Sequence, residues 1–363
     1  MIVIGIMSGT SADGMDAAAV EIGDERPRPT IRFLAHVARE HPDSLRYRIL
    51  AAGSGAPLPA HDVATLHADL GEAYASIAGE LIARLRERPA CVALHGQTIA
   101  HFPNEHATLQ IGDSSRVALA TGVPVIDDFR SADVALGGQG APLVPFADHL
   151  LFADDTPRAI LNLGGIANLT LLPSGRAADV TALDTGPGNM VIDQLAREGG
   201  NELDHHGAAA ARGRVDVAAL DVALAHPYFA RPAPKSTGRE DFGAPFAQRL
   251  LASVKDRGGS LDDAIATATE LTVETVARAL DGGEWRELVV AGGGVRNAVL
   301  MARLRVRTNL PLRRTDELGI PAEAREAVAF AILGAYRLRG EPNTLPRCTG
   351  AARAVSAGAI HAP

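Results

Sequence analysis

The stretch Gly5-Ile6-Met7-Ser8-Gly9-Thr10-Ser11-Ala12-Asp13-Gly14-Met15-Asp16 decides the fold. An apolar run of strand length, Ile2 to Ile6, leads into it, and a second, Asp16 to Ile22, leaves it in apolar–polar alternation. Two such runs around a turn rich in Gly and Ser, Ser8 to Gly14, predict a β-hairpin with a long tip. A tip of this composition lets successive backbone N–H groups converge on an anion, and its glycines remove the Cβ atoms that would keep a phosphate away. A related arrangement returns half a chain later, where Ile160-Leu161-Asn162-Leu163 runs into Gly164-Gly165 and out through Ile166 to Leu172. One such tip is an ordinary turn. Two at equivalent places predict a duplicated domain whose halves face each other across a cleft, with both tips binding phosphate.

Between the hairpins, Pro59 to Arg88 carries apolar residues at helical spacing, Val63, Leu66, Leu70, Tyr74, Ile77 and Leu81 among them, and opens on a proline. Cys91 to Leu94, Thr108 to Ile111 and Val123 to Ile126 predict strands. Gly137-Gly138-Gln139-Gly140 reads as a flexible passage joining the halves, which places the boundary near residue 135. Beyond it, helices are predicted over Pro187 to Arg197, Ala218 to Ala225, Phe246 to Lys255, Leu261 to Leu280, Val295 to Val306 and Ala322 to Leu338, with a strand at Leu288 to Ala291. Interleaved strands and helices make the class α/β.

The 363 residues, 47% of them apolar, suffice for two or three packed units with sizeable cores. Lys and Arg total 35 against 43 acidic residues, a formal net charge of −8, which argues against a nucleic-acid partner. Only Lys235 and Lys255 are lysines, and neither follows a glycine, so there is no Walker A loop; neither lies in a V-A-I-K context. Any ATP site here cradles phosphates through backbone amides instead. Cys91 and Cys348 are too few for a disulfide framework and are expected as buried free thiols in a reducing compartment. The N-terminus has no basic leader and no stretch reaches the length of a spanning helix, so the expectation is a cytoplasmic protein without a membrane partner. His101 and His106 lack the Glu of a zinc-helix motif, Asp204-His205-His206 sits in a polar segment, and no G-x-S-x-G elbow occurs.

Asp184-Thr185-Gly186-Pro187-Gly188-Asn189 precedes a predicted helix, with Pro187 placed near its first turn and free amides of Gly186, Gly188 and Asn189 close by to hold an anion. Asp184 there is either a general base or metal-shell group, or a helix cap. Gly292-Gly293-Gly294-Val295-Arg296-Asn297 is a strand–glycine turn–helix passage with Asp316 beyond the next strand. Asn297 stands where a dinucleotide fingerprint wants glycine or alanine, so the passage fits a nucleotide base or ribose contact better than a full dinucleotide site. Arg130, in Asp128-Phe129-Arg130, is either a carboxylate clamp or a surface arginine.

These segments in this order resemble the anhydro-N-acetylmuramic acid kinase family of the sugar kinase, Hsp70 and actin superfamily. The resemblance runs end to end. It is carried by Gly5 to Asp16, Leu94-His95-Gly96-Gln97-Thr98, Asp127 to Arg130 running on to Pro145, Asn162 to Asn168, Asp184 to Asn189, Lys235-Ser236-Thr237-Gly238-Arg239-Glu240 and Gly292 to Asn297. It implies two RNase H-like (actin/hexokinase-type) domains flanking a nucleotide-binding cleft, drawn at 1–135 with about 345–363, and at 136–344. It implies a reaction in which water opens the 1,6-anhydro ring of anhydro-N-acetylmuramic acid while ATP phosphorylates oxygen 6. Matching positions give Gly9, Thr10, Ser11, Ala12, Asp13, Gly14, Met15 and Asp16, with Gly164 and Gly165, to the ATP phosphates, and Gly292, Gly293, Gly294 and Asn297 to the adenosine. Asp184 becomes the base, and Arg130, Glu326, His95 and Gln97 the sugar contacts. Mg²⁺ is expected to accompany ATP through phosphates and waters, with no protein ligand assigned, and a homodimer is the assembly carried forward. The competing classes are a nucleotide-switched binding or filament protein on the same fold, and a dinucleotide-dependent oxidoreductase built on Gly292 to Asn297.

Overall fold

Val3, Ile4, Gly5 and Ile6 are buried without alternation, as befits a strand covered on both faces. This strand, β1 (Ile2–Ser8), turns back into β2 (Gly14–Ile22), which pairs in turn with β3 (Ile31–Glu40). Two strands run parallel beside β1: β4 (Cys91–Leu94), and beyond it β7 (Val125–Asp127). Between them β5 (Gln97–Phe102) and β6 (Ala107–Ile111) form a separate ribbon, and the C-terminal strand Ala359–His361 closes the sheet on β7. In the computed structural model, which describes residues 1–363 except Arg26, Pro27 and Pro234, these strands belong to a unit made of Met1–Phe152 and Gly319–Pro363.

One face of this sheet packs Ile4, Ile6, Val92 and Leu94 against Leu66, Leu70, Ile77 and Leu81 of the helix Ala60–Ile82. The periodicity was legible to Leu81; the helix stops at Ile82, short of Arg88. The other face takes the helix Arg325–Leu338, whose residues Ala327 to Ala335 are buried. The approach there is backbone to backbone: a Cβ on Gly5 would lie 1.9 Å from the Ala327 carbonyl oxygen, and one on Gly334 would lie 2.5 Å from the Ala93 Cβ.

The second unit, Ala153–Leu318, repeats the plan. Its strands are β8 (Arg158–Leu163), β9 (Ile166–Leu172), β10 (Thr181–Pro187), β11 (Glu287–Ala291) and β12 (Leu312–Arg314). They lie in the order β10-β9-β8-β11-β12, against β3-β2-β1-β4-β7 in the first unit. In each, the second strand is antiparallel to its neighbours and the last two run parallel to the first. This is the RNase H-like, actin-type α/β topology, present twice. Leu161, Leu163, Leu288 and Val290 pack with Val273 and Val276 of the helix Leu261–Leu280, which a reciprocal Ser260–Asp263 capping box starts where the sequence predicts.

Three sequence expectations need correction. The unit boundaries fall at residues 152/153 and 318/319 rather than near 135 and 345, because helices on both sides of those points belong to the first unit. Asp148 of the helix Val144–Phe152 makes a fully buried, two-pronged ion pair with Arg325, joining that helix to Arg325–Leu338. Second, Gly137 to Gly140 is no loose passage. Gly140 N–H donates to the buried Asp133 carboxylate at 2.8 Å, Gln139 N–H to the Thr349 carbonyl at 2.7 Å, and Thr349 Oγ1 to Asp133 at 2.7 Å. Third, Pro187 ends β10 instead of opening a helix, which begins at Met190. Asp, Gly and Pro within Thr181–Pro187 are poor strand formers, and only the pairing with β9 makes them one.

The contact at Gly5 allows no side chain. Gly5→Ala is expected to lower the unfolding free energy by about 1–3 kcal/mol, the usual cost of overpacking, as measured by chemical denaturation.

Candidate active site

The predicted tip leaves β1 at Ser8 and returns at Gly14. Thr10, Ser11 and Asp13 are exposed, while Ala12 is buried with φ of 57°. Among the described residues, the amides of Thr10 and Ser11 donate to nothing in the chain, as an anion-binding turn requires. The carbonyls are occupied: Gly9 O accepts from Ala12 N–H at 3.2 Å and from Gln97 Nε2 at 3.1 Å, and Asp13 O from His41 N–H at 3.0 Å. The Asp13 carboxylate is paired with Arg46 at 2.7 Å. Met15 and Asp16 lie outside the tip. Met15 is buried in the hydrophobic core, and Asp16, within β2, pairs with His36 Nε2 at 2.8 Å. Gly14 also belongs to β2, where a Cβ would meet the Arg39 carbonyl at 2.4 Å.

Arg130 stands beyond the end of β7, and His95 beyond the end of β4, so both lie at the carboxyl edge of the parallel strands, the edge that carries the tip. His95 is 4% exposed, and its Nε2 accepts from Arg130 Nη2 at 2.7 Å and Nε at 3.2 Å. Burial first, then the Arg130 charge, push the imidazole down to about 3, so it is neutral and its proton sits on Nδ1. Arg130 Nη1 donates to the Gly140 carbonyl at 2.7 Å. Three of the five guanidinium N–H groups are thereby engaged, which leaves one on each terminal nitrogen. Burial pulls Arg130 down to about 10, while Glu326 and Asp133 support its charge. Glu326 opens the helix Arg325–Leu338, and its carboxyl is raised by burial, with Asp16 and Asp148 adding to the rise and Arg325 and Arg130 opposing it. Arg130, His95 and Glu326 are therefore brought together as the sequence predicts. Asp16 and His36 join the same polar group, and no pattern in the sequence singled out His36. Gln97 is nearby in sequence, but its amide is committed to Ser8 and Gly9.

In the second unit Asp184 lies in β10, just before a bulge against β9. Its backbone is held on both sides: its N–H donates to the Lys235 carbonyl at 3.0 Å, and its carbonyl accepts from Tyr228 Oη at 2.7 Å. Its Oδ2 accepts from Thr237 N–H at 3.0 Å. Burial raises the carboxyl to about 6; the Thr237 N–H opposes the shift, and the Glu240 charge adds to it. A carboxylate poised there is ionised at neutral pH yet basic enough to take a proton. Lys235 Nζ sits 4.7 Å over the Tyr228 ring and reaches the Phe229 carbonyl at 3.3 Å, so it braces this loop. Tyr228 and Thr237 carry no motif of their own that the sequence could have announced, although Thr237 falls within the Lys235 to Glu240 segment.

Two of the amides expected to be free beside Asp184, those of Gly188 and Asn189, are not. Gly188 N–H donates to Gly165 O at 2.9 Å, Asn189 N–H to Gly164 O at 2.8 Å and Met190 N–H to Gly165 O at 3.0 Å. Gly186 is buried against Phe229, and Asn189 Nδ2 donates to the Leu163 carbonyl at 3.1 Å. The amides of Gly164 and Gly165, by contrast, have no acceptor among the described residues. Gly292, at φ of 84°, and Gly294 press on the end of β8, where a Cβ would approach Leu163 atoms to within 2.8 Å and 2.6 Å; Gly293 is exposed. Asn297 Oδ1 caps the helix Ala298–Thr308 through Leu300 N–H at 3.0 Å. Its oxygen is therefore structural. Among the described residues no three His, Cys, Asp or Glu side chains converge as a metal cage, and no helix is long and apolar enough to cross a membrane.

Residues 1–363 match the family model described as anhydro-N-acetylmuramic acid kinase. A relative of that name from Gloeobacter violaceus is 44% identical, over 99% of this chain and 98% of the relative. Another, from Streptomyces coelicolor, is 42% identical over 99% and 93%. Among solved structures, this chain is similar to an activator of 2-hydroxyisocaproyl-CoA dehydratase from Clostridium difficile with bound ADPNP, 14% identical over 92% of this chain and 93% of that one, with a TM-score of 0.47. With its whole length matched and both hairpin units in place, this chain belongs to the anhydro-N-acetylmuramic acid kinase family.

Proposed function

We propose that the chain converts anhydro-N-acetylmuramic acid, water and ATP into N-acetylmuramic acid 6-phosphate and ADP, with Asp184 as the base. The observation that carries this is the Asp184 carboxyl, raised to about 6 and fixed through its backbone and Oδ2 by Lys235, Tyr228 and Thr237. The bridging oxygen 6 of the substrate is an ether oxygen and has no proton to remove. The base therefore acts on water: it takes a proton as the water oxygen bonds to carbon 1, the bond from carbon 1 to oxygen 6 breaks, and oxygen 6 attacks the γ-phosphorus of ATP. ADP leaves, and one proton is released overall.

The other roles divide by chemistry. The unpartnered amides of Thr10 and Ser11, with those of Gly164 and Gly165, receive phosphate oxygens, and Gly293 lies against the adenosine. Arg130 offers its two remaining N–H groups to the lactyl carboxylate. Glu326, with a carboxyl that holds its proton more readily than usual, accepts from or donates to a sugar hydroxyl or the N-acetyl group. Mg²⁺ accompanies ATP in this scheme, and with no cage of acidic or imidazole ligands among the described residues, no side chain is assigned to it. A cytoplasmic location suits an ATP-consuming enzyme whose two cysteines are buried free thiols.

Purified protein given the anhydro sugar, ATP and Mg²⁺ in ¹⁸O-water is expected to yield a 6-phosphate labelled at carbon 1 by mass spectrometry; unlabelled product or none refutes the scheme. Asp184→Asn is expected to cut kcat about 10²–10⁴-fold while an ATP analogue still binds by calorimetry. In the parent protein the acid limb of kcat/KM should fall as pH drops through about 6, because the base is then protonated. Stability runs the other way. A carboxyl raised from 3.8 to about 6 on folding favours the folded state most below 3.8, and that contribution is lost as pH rises through about 6. Asp184→Asn should therefore melt higher than the parent at pH 8, with the gap closing toward pH 4. Arg130→Met is expected to raise KM for the sugar about tenfold or more, one charge-assisted pair being worth about 1.5–3 kcal/mol, in steady-state kinetics.

A further inference from the structure

Gln97 is placed by its motif among the sugar contacts, yet both ends of its amide are engaged within the fold and the side chain is buried away from any sugar. Its Oε1 accepts from the Ser8 hydroxyl at 2.6 Å, and its Nε2 donates to the Gly9 carbonyl at 3.1 Å. The side chain is 1% exposed. The Ser8 hydroxyl lies 2.6 Å from Gln97 Oε1 and 3.1 Å from the Gly14 carbonyl, and gives its single proton to the nearer acceptor, Gln97. Its oxygen then accepts from His41 Nε2, 3.1 Å away, with the His41 proton on that nitrogen. The same His41 donates its backbone N–H to the Asp13 carbonyl. The turn is thus held at both ends by its carbonyl oxygens, at Gly9 by the Gln97 side chain and at Asp13 by the backbone N–H of His41, two residues whose side chains are linked through Ser8.

A carbonyl turned toward a phosphate repels it, and a carbonyl already engaged in a hydrogen bond cannot turn. We infer that Gln97, braced by Ser8 and His41, is a positioning residue for the phosphate-binding turn and not a sugar contact: by capturing the Gly9 carbonyl together with Ala12 N–H, it keeps the Thr10 and Ser11 amides aimed outward. This rests on the reading of that turn as an ATP-phosphate site. It makes the orientation of the Gln97 amide consequential, because a carboxylate of the same shape can still accept from Ser8 but cannot donate to Gly9.

The test separates ATP from sugar. Gln97→Glu and Gln97→Leu are compared with Thr10→Pro, which deletes one of the turn's own amides. Binding of a non-hydrolysable ATP analogue is measured by calorimetry without sugar, KM for each substrate is taken by steady-state kinetics, and thermal melts check folding. Both Gln97 variants are expected to weaken analogue binding and raise KM for ATP about tenfold, as for one or two lost hydrogen bonds, with KM for the sugar changed less than about twofold. Gln97→Glu is the nearer isostere, and it decides the matter should Gln97→Leu fail to fold. A rise in sugar KM with analogue binding intact overturns the inference. So does normal analogue binding in the Gln97 variants when Thr10→Pro binds weakly, and the reading of the turn survives that result. Normal binding in Thr10→Pro as well overturns the reading of the turn itself, and the inference with it.

Discussion

The backbone contact between β1 and the helix Arg325–Leu338 is the constraint on which the first unit depends. Only a glycine at position 5 lets the Ala327 carbonyl come so close, and closeness has two consequences. It seals the second face of the sheet, so that β1 can be apolar throughout. It also fixes the first turn of the helix over the end of the hairpin, where Glu326 joins Arg130 and Asp16, while Arg325 turns inward to Asp148. A buried ion pair of this kind contributes little net stability against an apolar alternative, but losing one partner is costly. Its effect here is to tie two helices far apart in sequence to one sheet, and thereby to set where the unit begins and ends.

The two hairpins were legible because strand, glycine turn and strand are local events, and their spacing announced the duplication. Long amphipathic helices were legible for the same reason; Leu261–Leu280 even carries its start signal in Ser260 and Asp263. What escaped the sequence was decided by partners distant in the chain. β10 contains Asp184, Gly186 and Pro187 and becomes a strand only by pairing with β9. The glycines at 137, 138 and 140 look like a linker until Asp133 and Thr349 bind the passage in place. Domain boundaries read from glycine content went astray accordingly.

The candidate site divides along the same line. Asp184, Arg130 and the two tips were visible as residue types in motifs, and Glu326 through the family resemblance. Whether a particular amide or side chain is free was not visible, because hydrogen bonds are exclusive and the sequence does not say who claims each donor. Gly188, Asn189 and Asn297 looked like ligand contacts, and each has a donor or acceptor committed to the fold. Tyr228 looked like nothing in particular, and Thr237 had no role of its own within its motif, yet both hold Asp184 in position.

That exclusivity also explains how a chain with two lysines can prepare for an anion. In the first turn the carbonyls of Gly9 and Asp13 are taken by Gln97, Ala12 and His41. In the second, the carbonyls of Gly164 and Gly165 are taken by the amides of Gly188, Asn189 and Met190. The donors differ, a side chain and two backbone amides in one unit and three backbone amides in the other, but the outcome is the same: acceptors withdrawn, donors left over. A net charge of −8 is then no obstacle, since it is a sum over the whole chain, whereas a phosphate at either turn meets the few N–H dipoles that the fold has left unused. On the proposed reading of the two turns as phosphate sites, each must hold its carbonyls away for its amides to serve, so the residues that capture carbonyls belong to that apparatus as much as the amides themselves.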